Sequence, residues 1–153
     1  NLNGWLNMPE TGSVKYTCAN YQSNNYAKIS AYLSGNDVIK SWLVTPAISL
    51  GSYAIKKFSF TNADGYDNGA TLKVLLSTNY TGDGKPWNYT WTQLPATISH
   101  GHSSGYGSFI SSGEIDLSTY STIYIAFVYE GADGSGTKRT TTFQIDDIKI
   151  TGN

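Results

Sequence analysis

Residues 122–129 (TIYIAFVY) constrain this chain more than any other stretch. In an extended strand successive side chains point to opposite faces. Ile123, Ile125 and Phe127 therefore share one face, and Tyr124, Ala126 and Val128 share the other. Both faces are apolar, so the strand must be covered on both sides, which is the position of a central strand in a sandwich. No helix-period stretch of about ten residues competes with this pattern elsewhere in the chain.

The other apolar segments repeat the rhythm. They are short, β-branched or aromatic, and bounded by Gly, Asn, Asp, Ser or Pro. Strands are predicted over 26–33, 41–50, 55–62, 71–77, 90–94, 108–115, 122–129 and 141–150, with weaker ones near Trp5 and Tyr16. In 71–77, Leu72, Val74 and Leu76 line one face, and Leu75 signals partial cover on the other. Pro46 interrupts 42–50, which makes that segment an edge, a bend or two strands. Turns are signalled at Asp64-Gly65, Asn68-Gly69, Gly82-Asp83-Gly84 and Asp133-Gly134-Ser135-Gly136. About eight to ten strands at roughly ten-residue spacing make an all-β jelly-roll β-sandwich of two antiparallel sheets, with a closed barrel as the lesser alternative. No repeat or linker divides the chain, so residues 1–153 are expected to form a single domain.

Composition narrows the function classes. Only 14% of residues are charged and the formal net charge is −1, which leaves no footprint for nucleic acid or an anionic membrane surface. Lys56-Lys57 and Lys138-Arg139 are isolated basic pairs. No apolar run approaches about 18 residues, so no membrane insertion by this segment is expected. Aromatics at 14%, with 12 Tyr and 16 Gly, argue against disorder and suit an extracellular all-β domain. The single cysteine, Cys18, allows no internal disulfide and points away from a eukaryotic secreted scaffold. The chain opens on Asn1 without Met, as a mature or excised segment would.

Two adjacent acids, Asp146 and Asp147, interrupt the strand-like run 141–150 (TTFQIDDIKI). Asp is disfavoured in strands, and burying unpartnered carboxylates is expensive. A bound cation would offset that cost, and Ca²⁺ suits carboxylates and backbone carbonyls. Alternation would send one carboxylate to the ion and the other to solvent. The competing use is a charged edge strand that resists aggregation. Such an ion would be structural, tying the N- and C-terminal strands together.

Two polar loops offer ligand chemistry. In 82–91 (GDGKPWNYTW), Trp87 and Tyr89 stand beside Asp83 and Asn88. Sugars present C–H faces beside hydroxyls, so such rings can stack while Asn and Asp hydrogen-bond. Trp91 and Trp42 are expected in the core. Loop 64–69 (DGYDNG) sets Tyr66 among acids and amides. It lacks the spacing and closing Glu of an EF-hand, and its polar side chains are expected to satisfy local backbone, with a cation or sugar site as the other use. His100-Gly101-His102 is too sparse for a transition metal and is expected to be a solvated loop. Cys18 lacks an activating base. Glu10, Glu114 and Glu130 form no local carboxylate pair of the kind glycosidases use. No nucleophile elbow, phosphate loop, dinucleotide motif or HExxH occurs, so no catalysis is expected.

Several segments, taken in order, carry a resemblance: 26–32 (YAKISAY), 41–50 (SWLVTPAISL), 72–80 (LKVLLSTNY), 91–94 (WTQL), 112–118 (SGEIDLS) and 143–150 (FQIDDIKI). Together they resemble the choice-of-anchor J domains of Bacteroidetes surface lipoproteins, relatives of the cleaved-adhesin domains of gingipains and, more distantly, of MAM domains. The likeness covers nearly the whole chain. It implies a galactose-binding/MAM-like jelly roll on the bacterial cell surface, without catalysis, serving adhesion or the binding of glycan or host glycoprotein. It also implies other domains of the same polypeptide as neighbours, and a purely structural or interaction role is the alternative. The run 145–148 (IDDI) is similar to the terminal strand of calcium-binding jelly-roll carbohydrate modules, which implies Asp146 as the ligand. Two places depart from the pattern. Asn1-Leu2-Asn3 stands where related domains carry an aromatic–acidic pair before Trp5, and Lys40-Ser41 stands where an acidic residue precedes Trp42-Leu43-Val44-Thr45-Pro46.

Overall fold

A computed structural model of the chain describes residues 2–153. Asn1, part of the N-terminal comparison above, lies outside the described residues. The strands are β1 (Leu6–Thr11), β2 (Thr17–Tyr21), β3 (Asn24–Ile29), β4 (Ile39–Val44), β5 (Ile48–Ser49), β6 (Lys56–Gly65), β7 (Thr71–Ser77), β8 (Thr92–Gln93), β9 (Ile110–Ser111), β10 (Ile115–Asp116), β11 (Thr122–Asp133), β12 (Lys138–Arg139) and β13 (Thr142–Gly152). They form two antiparallel sheets. Sheet one runs β1-β4-β11-β7-β8, with β5 and β12 also on β11; sheet two runs β10-β6-β13-β3-β2, with β9 also on β6. The expected jelly-roll sandwich is the observed fold. No helix among the described residues is long and apolar enough to cross a membrane.

The run TIYIAFVY falls in β11, held between β4 and β7 in the middle of sheet one. Ile123, Ile125, Phe127 and Tyr129 face inward and are fully buried. From sheet two, Ile29, Phe58, Phe60, Phe143 and Ile145 meet them. Phe60 and Phe127 pack edge to face with ring centroids 5.1 Å apart, a favoured aromatic geometry. Buried tyrosines also stitch the layers. Tyr129 donates to the Thr141 carbonyl at 2.9 Å and accepts from the Ala31 amide at 3.0 Å. Tyr16 donates to the Phe127 carbonyl at 3.0 Å. Burial pushes both hydroxyls well above the usual tyrosine range.

The second apolar face of β11 is covered by the chain itself. Ala126 and Val128, with Trp42 and Val44 of β4, lie under Tyr80, Trp87, Tyr89 and Trp91 from the segment after β7. Tyr80 is the hub, with ring centroids 4.8 Å from Tyr124 and 5.1 Å from Tyr89. Leu75 joins this cluster as its face predicted.

Several strand limits differ from the sequence expectation. Pro46 divides 41–50 into β4 and β5, both paired to β11; Thr45 bridges the gap, its amide donating to Ile125 and its hydroxyl accepting from the Ile125 amide. The predicted strand 108–115 is reduced to β9 and the first residue of β10; between them the Ser112 amide donates to the Phe60 carbonyl, but its hydroxyl, in place of a carbonyl, accepts from the Phe60 amide. The strand expected over 26–33 stops at Ile29, where the chain turns through Ala31–Ser34 with Leu33 at φ 60°.

Candidate functional site

The outer face of sheet two is built by alternation. Ala27 and Ile29 of β3 and Phe143 and Ile145 of β13 point into the core, so Tyr26, Lys28, Thr142 and Gln144 point out. This face carries an open groove of two adjoining hollows, each larger than the hollow of about 260 Å³ beside Trp42 and Trp91 on the outer face of sheet one. The first, about 640 Å³, is lined by Tyr21, Tyr26, Lys28, Tyr106, Phe109 and Gln144 among others. The second, about 730 Å³, is lined by Tyr32, Tyr66, Asn68, Thr140 and Thr142, and shares Lys28 and Tyr106 with the first. The aromatic rings are accessible: Tyr21 is 65% exposed, Tyr32 68%, Tyr66 56% and Tyr106 51%. Tyr26 meets Phe109 edge on at 5.9 Å, and Tyr66 meets Tyr106 at 5.4 Å. Flat apolar faces beside amides, hydroxyls and one ammonium are a surface that stacks on a ligand and hydrogen-bonds its rim.

The wall that carries Tyr106 is fixed from beneath. Gly65, at the end of β6, lies against the Tyr106 ring, and a Cβ there would stand 2.3 Å from it. The Tyr66 amide donates to the Gly105 carbonyl at 3.0 Å, and the Gly107 amide donates to the Asp64 carbonyl at 2.9 Å. Asp64 itself is fully enclosed. Its carboxylate accepts from the Ser99 hydroxyl at 2.5 Å and the His102 amide at 2.9 Å, and lies 2.7 Å from His102 Nδ1. Enclosure alone would raise its pKa, but the bonds from Ser99 and from the His102 amide and ring outweigh it and hold the carboxyl below the usual range. The His102 ring packs on Gly107, where a Cβ would come within 2.5 Å of it.

Loop 64–69 therefore does more than satisfy its own backbone. Asp67 accepts from the Gly69 amide, but also from the Gly101 amide at 2.6 Å and the Thr141 hydroxyl at 2.9 Å. Enclosure opposes ionisation of Asp67, yet these donors pull its pKa down. Asn68 donates to the Thr140 hydroxyl at 2.9 Å and accepts from the Thr140 amide at 2.6 Å. The 100–102 loop is exposed, as expected, but it is not free: His102 is anchored on the buried Asp64.

Of the ligand residues expected from sequence, Tyr66 lines the groove. Asp83, Trp87, Asn88 and Tyr89 lie on the far side of the molecule, over sheet one. There Pro86–Asn88 forms a 3-10 turn, Trp87 and Tyr89 are half-buried against the second cluster, and Asn88 is exposed. The Tyr89 hydroxyl donates to Asp83 at 2.9 Å and lies 2.6 Å from the Thr81 hydroxyl. Trp91, expected in the core, instead tilts against Trp42 at 5.4 Å in this outer cluster, only partly buried. The groove residues that sequence reasoning missed are Tyr21, Tyr26, Lys28, Tyr32, Tyr106, Phe109 and Gln144. Their local signal was the alternation of Tyr26 and Lys28 with Ala27 and Ile29.

Asp146 and Asp147 occupy a β-bulge. The register slips between Asp146 opposite Thr61 and Lys149 opposite Ser59, and Asp147 adopts φ 48°. The bulge breaks the strict alternation assumed from sequence; Asp147 is exposed and Asp146 half-buried. Asp146 accepts from the Asp147 amide at 2.8 Å, and Asp147 accepts from the Thr61 hydroxyl at 3.3 Å. Among the described residues no group of three or more His, Cys, Asp or Glu side chains gathers into a metal site. The two carboxylates supply only part of the six to eight oxygens Ca²⁺ takes, so carbonyls and waters would have to complete the shell.

No family model matches the chain, and no curated protein matches it by sequence. Solved structures share its fold. It is similar to the K1 cleaved adhesin domain of Lys-gingipain from Porphyromonas gingivalis W83, at 19% identity and TM-score 0.60, over 99% of this chain and 92% of that one. It is similar to the CBM22-2 xylan-binding domain of Paenibacillus barcinonensis Xyn10C, at 17% identity and TM-score 0.52, over 100% and 94%. A third is the family 11 carbohydrate-binding module of Clostridium thermocellum in complex with a β-1,3-1,4-mixed-linked tetrasaccharide, at 14% identity and TM-score 0.51, over 99% and 91%. At these identities the likeness is one of fold.

Proposed function

We propose that this chain is a non-catalytic carbohydrate-binding or adhesion module, and that its ligand, a glycan or the glycan of a host glycoprotein, lies in the groove on sheet two. The observation that carries this is the row of exposed rings Tyr21, Tyr106, Tyr66 and Tyr32 with the half-buried Tyr26, interleaved with Lys28, Gln144 and Asn68. Sugar rings stack their C–H faces on such side chains while their hydroxyls bond to the amides. The adhesin and carbohydrate-binding folds it resembles support the same reading. Placement at the bacterial cell surface, within a larger protein of choice-of-anchor J type, belongs to this proposal. The groove does not resemble a hydrolase centre: glycoside hydrolysis uses two flanking carboxyls, and the one carboxylate lining either hollow, Asp67, is committed to three hydrogen bonds.

The test is affinity electrophoresis of the wild type through gels containing single polysaccharides. Retardation in at least one gel, lost in Tyr26→Ala and Tyr106→Ala but kept in Trp87→Ala, is the expected result. Loss in Trp87→Ala with the groove variants unaffected would move the site to sheet one. A structural or interaction role without a glycan site is the second reading, favoured by the packing of Trp87 and Tyr89 into the outer cluster; the wild type passing every gel unretarded would establish it.

A further inference from the structure

The geometry points to one chemical class of ligand: a glycan bearing acidic groups, seated on Lys28. This rests on the carbohydrate reading of the groove. Lys28 lies one residue before the end of β3, directly opposite Gln144 of β13 and Thr17 of β2. It lines both hollows, as Tyr106 does, so a chain lying along the groove passes over it. Its ammonium has no carboxylate partner among the described residues, whereas Lys40, Lys73 and Lys138 are paired with Glu10, Glu130 and Asp133.

Among the described residues no acid lines the first hollow beside that charge. The other charged side chain in the lining is Asp67, which stands in the second hollow and accepts from Gly69, Gly101 and Thr141 rather than from Lys28. The acids of the bulge, Asp146 and Asp147, line neither hollow. The first hollow therefore combines aromatic faces with one half-buried, unpaired cation. A neutral sugar asks only for the rings and the amide of Gln144, and leaves the ammonium without a counter-charge. A uronate carboxylate or a sulfate ester supplies it through a charge-assisted hydrogen bond. Lysine acts as a point charge with three rotatable donors, so its chemistry accepts either anion.

The experiment measures binding of the intact chain by titration calorimetry at low ionic strength to three kinds of probe. Polygalacturonate carries carboxylates, chondroitin sulfate carries sulfates and carboxylates, and mixed-linkage β-glucan is neutral. The acidic probes are expected to bind at least about tenfold more tightly than the neutral one, with the advantage shrinking as added salt screens the charge. Lys28→Gln should weaken acidic binding about tenfold or more and neutral binding by a much smaller factor, and Lys28→Arg should retain the acidic preference. Equal weakening by polygalacturonate and chondroitin sulfate assigns the shared anion contact; loss for one alone identifies which group is bound. Neutral glycan bound as tightly as acidic glycan, with Lys28→Gln neutral throughout, overturns the inference and leaves the carbohydrate reading standing. No binding to any of the three, nor to the wider gel panel, removes both.

Discussion

Replacing Asp64 with Ala removes the acceptor on which the Tyr106 wall is built. Two donors, the buried Ser99 hydroxyl and the part-buried His102 amide, lose their partner, while the half-exposed His102 ring turns to water. Each stranded donor costs about 1–3 kcal/mol, and water entering the space left by the carboxylate recovers part of this, so a net loss of about 2–4 kcal/mol is expected. For a chain of 153 residues a loss near 3 kcal/mol lowers Tm by roughly 6–12 °C. Asp64→Asn should cost much less. Its amide nitrogen can donate to Ser99 and to the His102 ring nitrogen in the other tautomer, while its oxygen keeps the His102 amide. The pH dependence has a definite sign. The folded carboxyl titrates below its ordinary value, so its contribution is fully present above about pH 4–5 and is lost as pH falls through the lower folded pKa. Urea denaturation of wild type and Asp64→Ala at pH 7 and near pH 3 measures both effects, and the gap between the two proteins should shrink at the lower pH. Hydrogen exchange at Tyr66, Asp67 and Gly107, whose amides bond across this junction, should speed up in the variant. A stability change under about 0.5 kcal/mol, the range of an ordinary surface substitution, would refute the reasoning. So would a gap that is the same at both pH values.

Gly65→Ala sets a methyl group against the Tyr106 ring; the ring must move, and glycan retention should fall while the fold survives, as checked by gel retardation and circular dichroism. Phe127→Ala, at the centre of the core, should cost about 3–5 kcal/mol in denaturant unfolding. Structural Ca²⁺ at the bulge is a proposal with its own readout. An ion that binds only the folded state raises Tm with concentration, by about 2.7 kcal/mol of stability at a hundredfold excess over Kd. The rise should vanish with chelator and in Asp146→Ala; a Tm indifferent to calcium and chelator rejects the ion.

The sandwich was legible because its main constraint is local. TIYIAFVY needs cover on both faces whatever surrounds it, and β11 has it. That requirement also held the clue to Trp87 and Tyr89. Read within their polar loop they look free for a ligand, yet the outer apolar face formed by Ala126 and Val128 had to be covered, and the aromatic segment after β7 covers it. The groove was half legible. Alternation places Tyr26 and Lys28 away from the core, but whether that face stays open depends on where the 101–109 segment comes to rest. Its anchor, Asp64, finds Ser99 and His102 35 and 38 residues along the chain, a distance at which residue spacing predicts nothing. The bulge at Asp147 escaped for a different reason. Two adjacent acids in an apolar run suggested a metal under strict alternation, whereas a single residue at positive φ relaxes the alternation and leaves neither carboxylate buried.

The central claim, that a glycan lies on sheet two, is tested most directly by mapping amide chemical shifts. A ¹⁵N-labelled chain is titrated with an oligosaccharide cut from whichever polysaccharide retards it in the gel. The shifts should concentrate at Tyr21, Tyr26, Lys28, Tyr106, Phe109 and Gln144, with Asp83, Trp87 and Tyr89 unmoved. Shifts at Asp83, Trp87 and Tyr89 with a silent groove would contradict it.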